Sequence, residues 1–145
     1  MLQSRSPAVE KIHRDHEYIL EMVDRIKASC SRGDEVVDCT SCRPGTRQVC
    51  QGNVEQLIRV FVEFTLKHNL VESMYMEDGV PDAHRKQHNI AHLDIAEQLK
   101  AVRVVFSEDG NCILAINGID LILHTLQAHF RDFDEPLEAY LLAPA

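Results

Sequence analysis

The sequence has no run approaching the eighteen or so uninterrupted apolar residues that a membrane-spanning helix needs. Its most apolar stretch, Cys112 to Leu123, is broken by Asn117, Gly118 and Asp120. Positive charge is also scarce. Fifteen basic residues stand against 23 acidic ones, a formal charge of −8, so the balance supplies no basic stripe for nucleic-acid phosphates or an anionic membrane. No apolar segment precedes the first charges, so no secretory leader is expected and the chain reads as cytoplasmic. A nucleophile triad, a glycine-rich phosphate loop and interleaved aromatic and basic residues are all missing. Hydrolase, nucleotide-binding and RNA-binding readings therefore have no residues to rest on. Strand alternation and internal repeats are absent as well. What remains, 145 residues of which 45% are hydrophobic and 26% charged, is the size and balance of one globular domain spanning residues 1–145.

Apolar residues recur at three- and four-residue steps in four segments. Ser6-Pro7 opens helix A, about 8–30, with Val9, Ile12, His16, Ile19, Val23 and Ile26 on one face. Ser31 to Gln48 holds two glycines, one proline and no helical stripe, and reads as a long cysteine-bearing loop. Asn53 and Gln56 resemble a capping box, after which Leu57, Phe61, Phe64, His68, Val71 and Tyr75 form the stripe of helix B, ending at Gly79. Helix C starts after Pro81, carries His84, His88, His92, Ile95 and Leu99 on one face, and stops in Ser107 to Gly110. Helix D runs from about Asn111 past His129 towards Leu142, with Pro136 disturbing its last turns. Four long helices with short BC and CD turns predict an all-α, antiparallel up-down-up-down four-helix bundle with a long AB loop.

Each helix puts at least one histidine on its apolar stripe, and three add a partner at short spacing: His68 with Glu72, His84, His88 and His92 in a row, and His129 with Asp134. Residues four apart share a helix face, so these side chains can converge inside the bundle. An ionised carboxylate facing a core is costly, whereas a metal satisfies it together with the imidazoles. Five imidazoles and two carboxylates exceed one octahedral ion, but two ions bridged by the carboxylates accommodate them and leave a position open. Donors of this kind suit iron, manganese or zinc.

The ordered set Ile12, His16, Ile19, then HxxxE, HxxxH and HxxxxD on successive helices resembles the hemerythrin family, bacterial hemerythrin-like (HHE cation-binding) proteins included, over nearly the whole chain. The resemblance implies a four-helix bundle around an oxo- or hydroxo-bridged pair of irons that binds dioxygen at one of them. It makes His16, His68 and His129 terminal ligands, with two helix C histidines completing the set and Glu72 and Asp134 as bridges. Helix C offers two pairs. His88 and His92 lie 22 and 18 residues before Gly110, whereas His129 and Asp134 lie 19 and 24 beyond it, so the later pair matches their height better than His84 with His88. His84 then belongs to the first turn or the surface. Five residues on an ideal helix rotate about 140°, which favours Asp132 over Asp134 beside His129. Pro136 removes an N–H and clashes with the Asp132 carbonyl, so it can loosen the helix and let Asp134 swing inward. Asp134 is chosen, with Asp132 as the fallback. His13 is a candidate support for His16, and His124 stands outside the set.

Cys30, Cys39, Cys42 and Cys50 fall within the AB region, and Cys112 begins helix D at the same end of an up-down bundle. Three readings stay open: free thiols, a bound zinc or iron–sulfur centre, or a disulfide-forming redox switch. For the whole chain the expectation is a dioxygen-binding protein for storage, delivery or sensing, its partner dioxygen or another small diatomic or peroxide ligand. The alternatives are a redox enzyme reducing peroxide or nitric oxide, an iron donor for repair with the thiols as its input, or a zinc-filled or empty bundle for metal handling.

Overall fold

The computed structural model describes residues 6–30, 39, 42–109 and 111–142. Most of the cysteine-bearing connection, together with Gly110, where helix C was expected to stop, lies outside them. Helix α1 spans Pro7–Ala28. Ala8 N–H donates to the Ser6 hydroxyl, and Pro7 occupies the first turn, where its missing N–H costs nothing. Helix α2 spans Pro44–Tyr75, which corrects the expected start near Asn53 and the expected end of the loop at Gln48. Arg43, held extended by the proline that follows it, is the cap, and Pro44 sets the first turn. Asn53 is an interior helical residue. Gly79, with φ +77°, makes the left-handed turn after α2. Helix α3 spans Asp82–Asp109. Helix α4, Cys112–His129, is capped by Asn111, whose side chain accepts from Leu114 N–H. It continues without a break through a π-helical turn, Phe130–Asp134, into α5, Glu135–Leu142.

The helices form a bundle, with no strand among the described residues. They pack in a ring: α1 on α2, α2 on α3, α3 on α4, and α4 back on α1. Near the start of α2, Cys50 reaches the Ser29 carbonyl just beyond α1, and near its end His68 meets Asp15 in the first half of α1. Across α3 and α4, Gln98 accepts from Thr125, and His88 meets His129.

The interior is divided in two. A large apolar cluster holds Ile19, Met22, Ile26, Phe61, Leu99, Ile119 and Leu126, and a small one holds Ile12, Met76, Val80 and Leu137. His16 falls between Ile12 and Ile19 on α1, and Glu72 between Phe61 and Met76 on α2, so a polar layer separates the two clusters. Cys112–Leu142 is long and apolar enough to cross a membrane by length and composition alone, contrary to the expectation from its interruptions. In this fold its apolar stripe, Ile119, Ile122 and Leu126, is buried against the other helices.

Candidate metal centre

Five segments contribute to the polar layer: His16 from α1, His68 and Glu72 from α2, His88 and His92 from α3, His129 from α4, and Asp134 from the π-helical turn. All seven sequence-predicted residues come together. Glu72, His88 and Asp134 have no exposed surface, and His16, with 13% of its side chain exposed, is the most open of the seven, followed by His92 at 8%.

The seven side chains divide into two donor groups that share both carboxylates. In one, Glu72, His88, His92, His129 and Asp134 present ligand atoms all within 4.8 Å of one another; in the other, His16, His68, Glu72 and Asp134 do the same. Each carboxylate turns one oxygen to each group. Glu72 Oε1 lies 3.0 Å from His92 Nε2 and 3.3 Å from His88 Nε2, while its Oε2 lies 2.9 Å from His68 Nε2. Asp134 Oδ1 lies 2.9 Å from His88 Nε2 and 3.1 Å from His129 Nε2, while its Oδ2 lies 2.7 Å from His16 Nε2.

Several of these close atoms do not bond to one another. His68 Nε2, Glu72 Oε2 and Asp134 Oδ1 are buried and lack a hydrogen-bond partner despite neighbours about 3 Å away. His88 and His129 also face each other Nε2 to Nε2 at 3.1 Å. Buried polar atoms left unpaired cost roughly 1–3 kcal/mol each. Donors that crowd a common space without aligning on one another are the arrangement a cation satisfies, and the nitrogen and carboxylate set can hold one.

Behind the donors stand groups that orient them. His68 Nδ1 lies 2.8 Å from Asp15 Oδ2, and Asp15 is tied to Lys11 at 3.2 Å. A carboxylate on the outer nitrogen fixes the imidazole tautomer and raises its basicity. Asp15 escaped the sequence reading, although its position three residues after Ile12 and four before Ile19 marks it as an acid on an apolar face. Asp15→Ala should weaken metal affinity about 10–100-fold, read by competition with a chelator, while the helix content stays unchanged.

His84 plays the same part for His88, with its Nε2 3.0 Å from His88 Nδ1. It is half-buried rather than a plain surface histidine, and it lies outside both donor groups. His13 does not support His16: it pairs with Glu138 at the exposed edge of α5. Phe130 stacks on the His16 ring at 3.7 Å, and Phe133 lies over His129 at 5.2 Å.

The π-helical turn explains how Asp134 joins His129. Glu135 N–H bonds to the Phe130 carbonyl, five residues back, and Pro136 has no N–H to offer Asp132. The wider turn brings residues five apart onto one face. Asp134 is thereby buried, whereas Asp132 is exposed and paired with Arg131.

Without a cation the layer balances its charge with protons. Burial pushes the Glu72 carboxyl up, but His129, His68, His88 and His92 outweigh it and hold the group well below its usual range. Asp134, likewise opposed by burial, is held down to about 2 by His129, His16 and His88. For His129, burial opposes the charged form and the two carboxylates prevail, raising it to about 9. Burial wins at His92, which is lowered.

All five cysteines are free, with no disulfide among them. No family model matches the chain, and no curated protein or solved structure matches it either.

Proposed function

We propose that this chain is an up-down-up-down bundle of the hemerythrin type, holding two irons and binding dioxygen reversibly. The observation that carries the reading is the orientation of Glu72 and Asp134, each turning one oxygen to the donor group with three imidazoles and the other to the group with two. Contacts of Cys50 with Ser29 and of His68 with Asp15 pair opposite ends of α1 and α2, which supports the alternating topology. When bound, a pair of ferrous ions supplies the electrons with which dioxygen is held.

The chain's own residues then account for selectivity. His16 and His68 form the half with one imidazole fewer, and so the half with room for a small ligand. Its edge at His16 is slightly open to solvent, while Phe130 and Ile19 keep the surroundings apolar, which suits an uncharged diatomic molecule better than an ion. His88, His92 and His129 close the other half.

The test is an oxygen titration of the reduced, iron-loaded protein. Reversible uptake of one dioxygen per two irons, undone by lowering the oxygen pressure, is expected. Continuous consumption of oxygen, peroxide or nitric oxide with a supplied reductant would replace the reading by a redox enzyme.

A pH dependence follows from the protons the centre holds. At neutral pH, metal loading must displace the proton on His129, so binding should release acid and strengthen as pH rises towards about 9. For the metal-free chain the sign is opposite. A histidine raised from 6.5 to about 9 contributes stability in full below 6.5 and loses it as pH climbs through about 9. Metal titrations in weak buffer with a pH indicator, and melts of the metal-free chain from pH 6 to 9, check the two signs.

A further inference from the structure

The end of the bundle away from the histidines gathers thiols from the end of α1, the AB connection, α2 and α4. Cys30 follows α1, Cys39 and Cys42 come from the AB connection, Cys50 lies in the second turn of α2, and Cys112 opens α4. The AB cysteines alone give an incomplete picture, because the contacts centre on Cys112. Its side chain is fully buried, its backbone N–H donates to Cys39 Sγ at 3.1 Å, and Cys50 packs against the same apolar cluster that holds both. Cys39 is itself buried, and Cys42 N–H donates to the Cys39 carbonyl. Cys50 reaches the Ser29 carbonyl, one residue from Cys30.

We propose that Cys39, Cys50 and Cys112, with Cys30 or Cys42 as fourth donor, form a thiolate site for a zinc-class divalent cation that ties Cys39 to the early turns of α2 and α4. An all-sulfur donor set selects zinc or iron over the harder cations. Cys39 Sγ already accepts from a backbone N–H at the start of an 18-residue helix, which places it at the mouth of α4. Among the described residues only the histidine–carboxylate groups have three or more donors within 4.8 Å of one another, so the cation draws the sulfur atoms together as it binds. Each thiol loses its proton as it ligates.

A disulfide would engage only two of these thiols, and all five are free in this structure. A divalent cation takes the thiolate form and can hold four at once. The site is also separate from the histidine layer: Cys112 and His129 bracket the whole of α4, about 25 Å of helix.

The experiment uses the full chain loaded with cobalt(II) under anaerobic conditions. A sulfur-to-cobalt charge-transfer band with tetrahedral ligand-field bands is expected, a signature that imidazole and carboxylate donors do not produce. Cys112→Ser and, independently, Cys50→Ser should abolish the band and lower bound cobalt by one equivalent. His88→Ala should leave the band intact. In the zinc-loaded protein, four of the five thiols should resist a thiol reagent until a chelator is added. Free reaction of all five thiols in the metal-replete chain, absence of the band, or a Cys50–Cys112 disulfide forming while metal is present would each overturn the proposal.

Discussion

Glu72→Ala is expected to strip the histidine centre of metal and to lower the stability of the metal-free chain by about 3–5 kcal/mol, the range for leaving buried charges without their partner. The carboxylate has no exposed surface and stands among His68, His88 and His92 at 2.9–3.3 Å. Its removal takes one donor from each group at once. It also withdraws the anion that stabilises the protonated forms of His68, His88 and His129. Glu72→Gln keeps the volume but not the charge, so it should lose metal with a smaller fall in melting temperature. Glu63→Ala, on the exposed side of the same helix, should stay within about 0.5 kcal/mol of the parent. Metal analysis and thermal melts of the three variants distinguish loss of a bridging carboxylate from a general fault in α2.

The second large effect concerns α3, where His92→Ala and His84→Ala should differ in kind. His92 is a member of the three-imidazole group, with Nε2 3.0 Å from Glu72 Oε1, so its loss should remove at least one ion per chain. Within the centre His84 reaches the outer nitrogen of His88, and beyond it packs against Tyr140, so His84→Ala should retain both ions and weaken them about 10–100-fold. Iron content after dialysis against a graded series of chelator concentrations reads both outcomes. The same comparison applies to the last turns of the bundle: Asp134→Asn should lose metal, and Asp132→Asn should not.

Much of this was legible because helix periodicity leaves little freedom. A histidine or carboxylate on an apolar stripe must face the interior, and the four stripes bring His16, His68, Glu72, His88, His92 and His129 to one level. Asp134 could be read only through Pro136, since regular α-helix spacing would have chosen Asp132. The start of α2 was obscured because Pro44 and Gly45 imitate a loop, whereas Pro44 occupies the first helical turn, where its missing N–H costs nothing. Asp15 and His84 were missed in their supporting roles for a different reason. Asp15 acts on His68 from another helix, a contact no sequence spacing records, whereas His84 stands four residues from His88 and was read as a rival ligand or a surface residue. Cys112 was visible as a fifth thiol, but its place at the centre of the cluster depends on how α4 begins, capped by Asn111 beside Cys39.

The central claim is that the two donor groups hold two ions through shared carboxylates. Its most direct test is the iron content of the full chain after anaerobic loading with ferrous iron and desalting, compared between the parent, Glu72→Ala and a Cys39→Ser, Cys50→Ser, Cys112→Ser variant that cannot bind iron through those thiols. The account predicts two irons per chain in the thiol variant and none at the histidine centre once Glu72 is gone. One iron or none in the thiol variant, or full retention in Glu72→Ala, would contradict it.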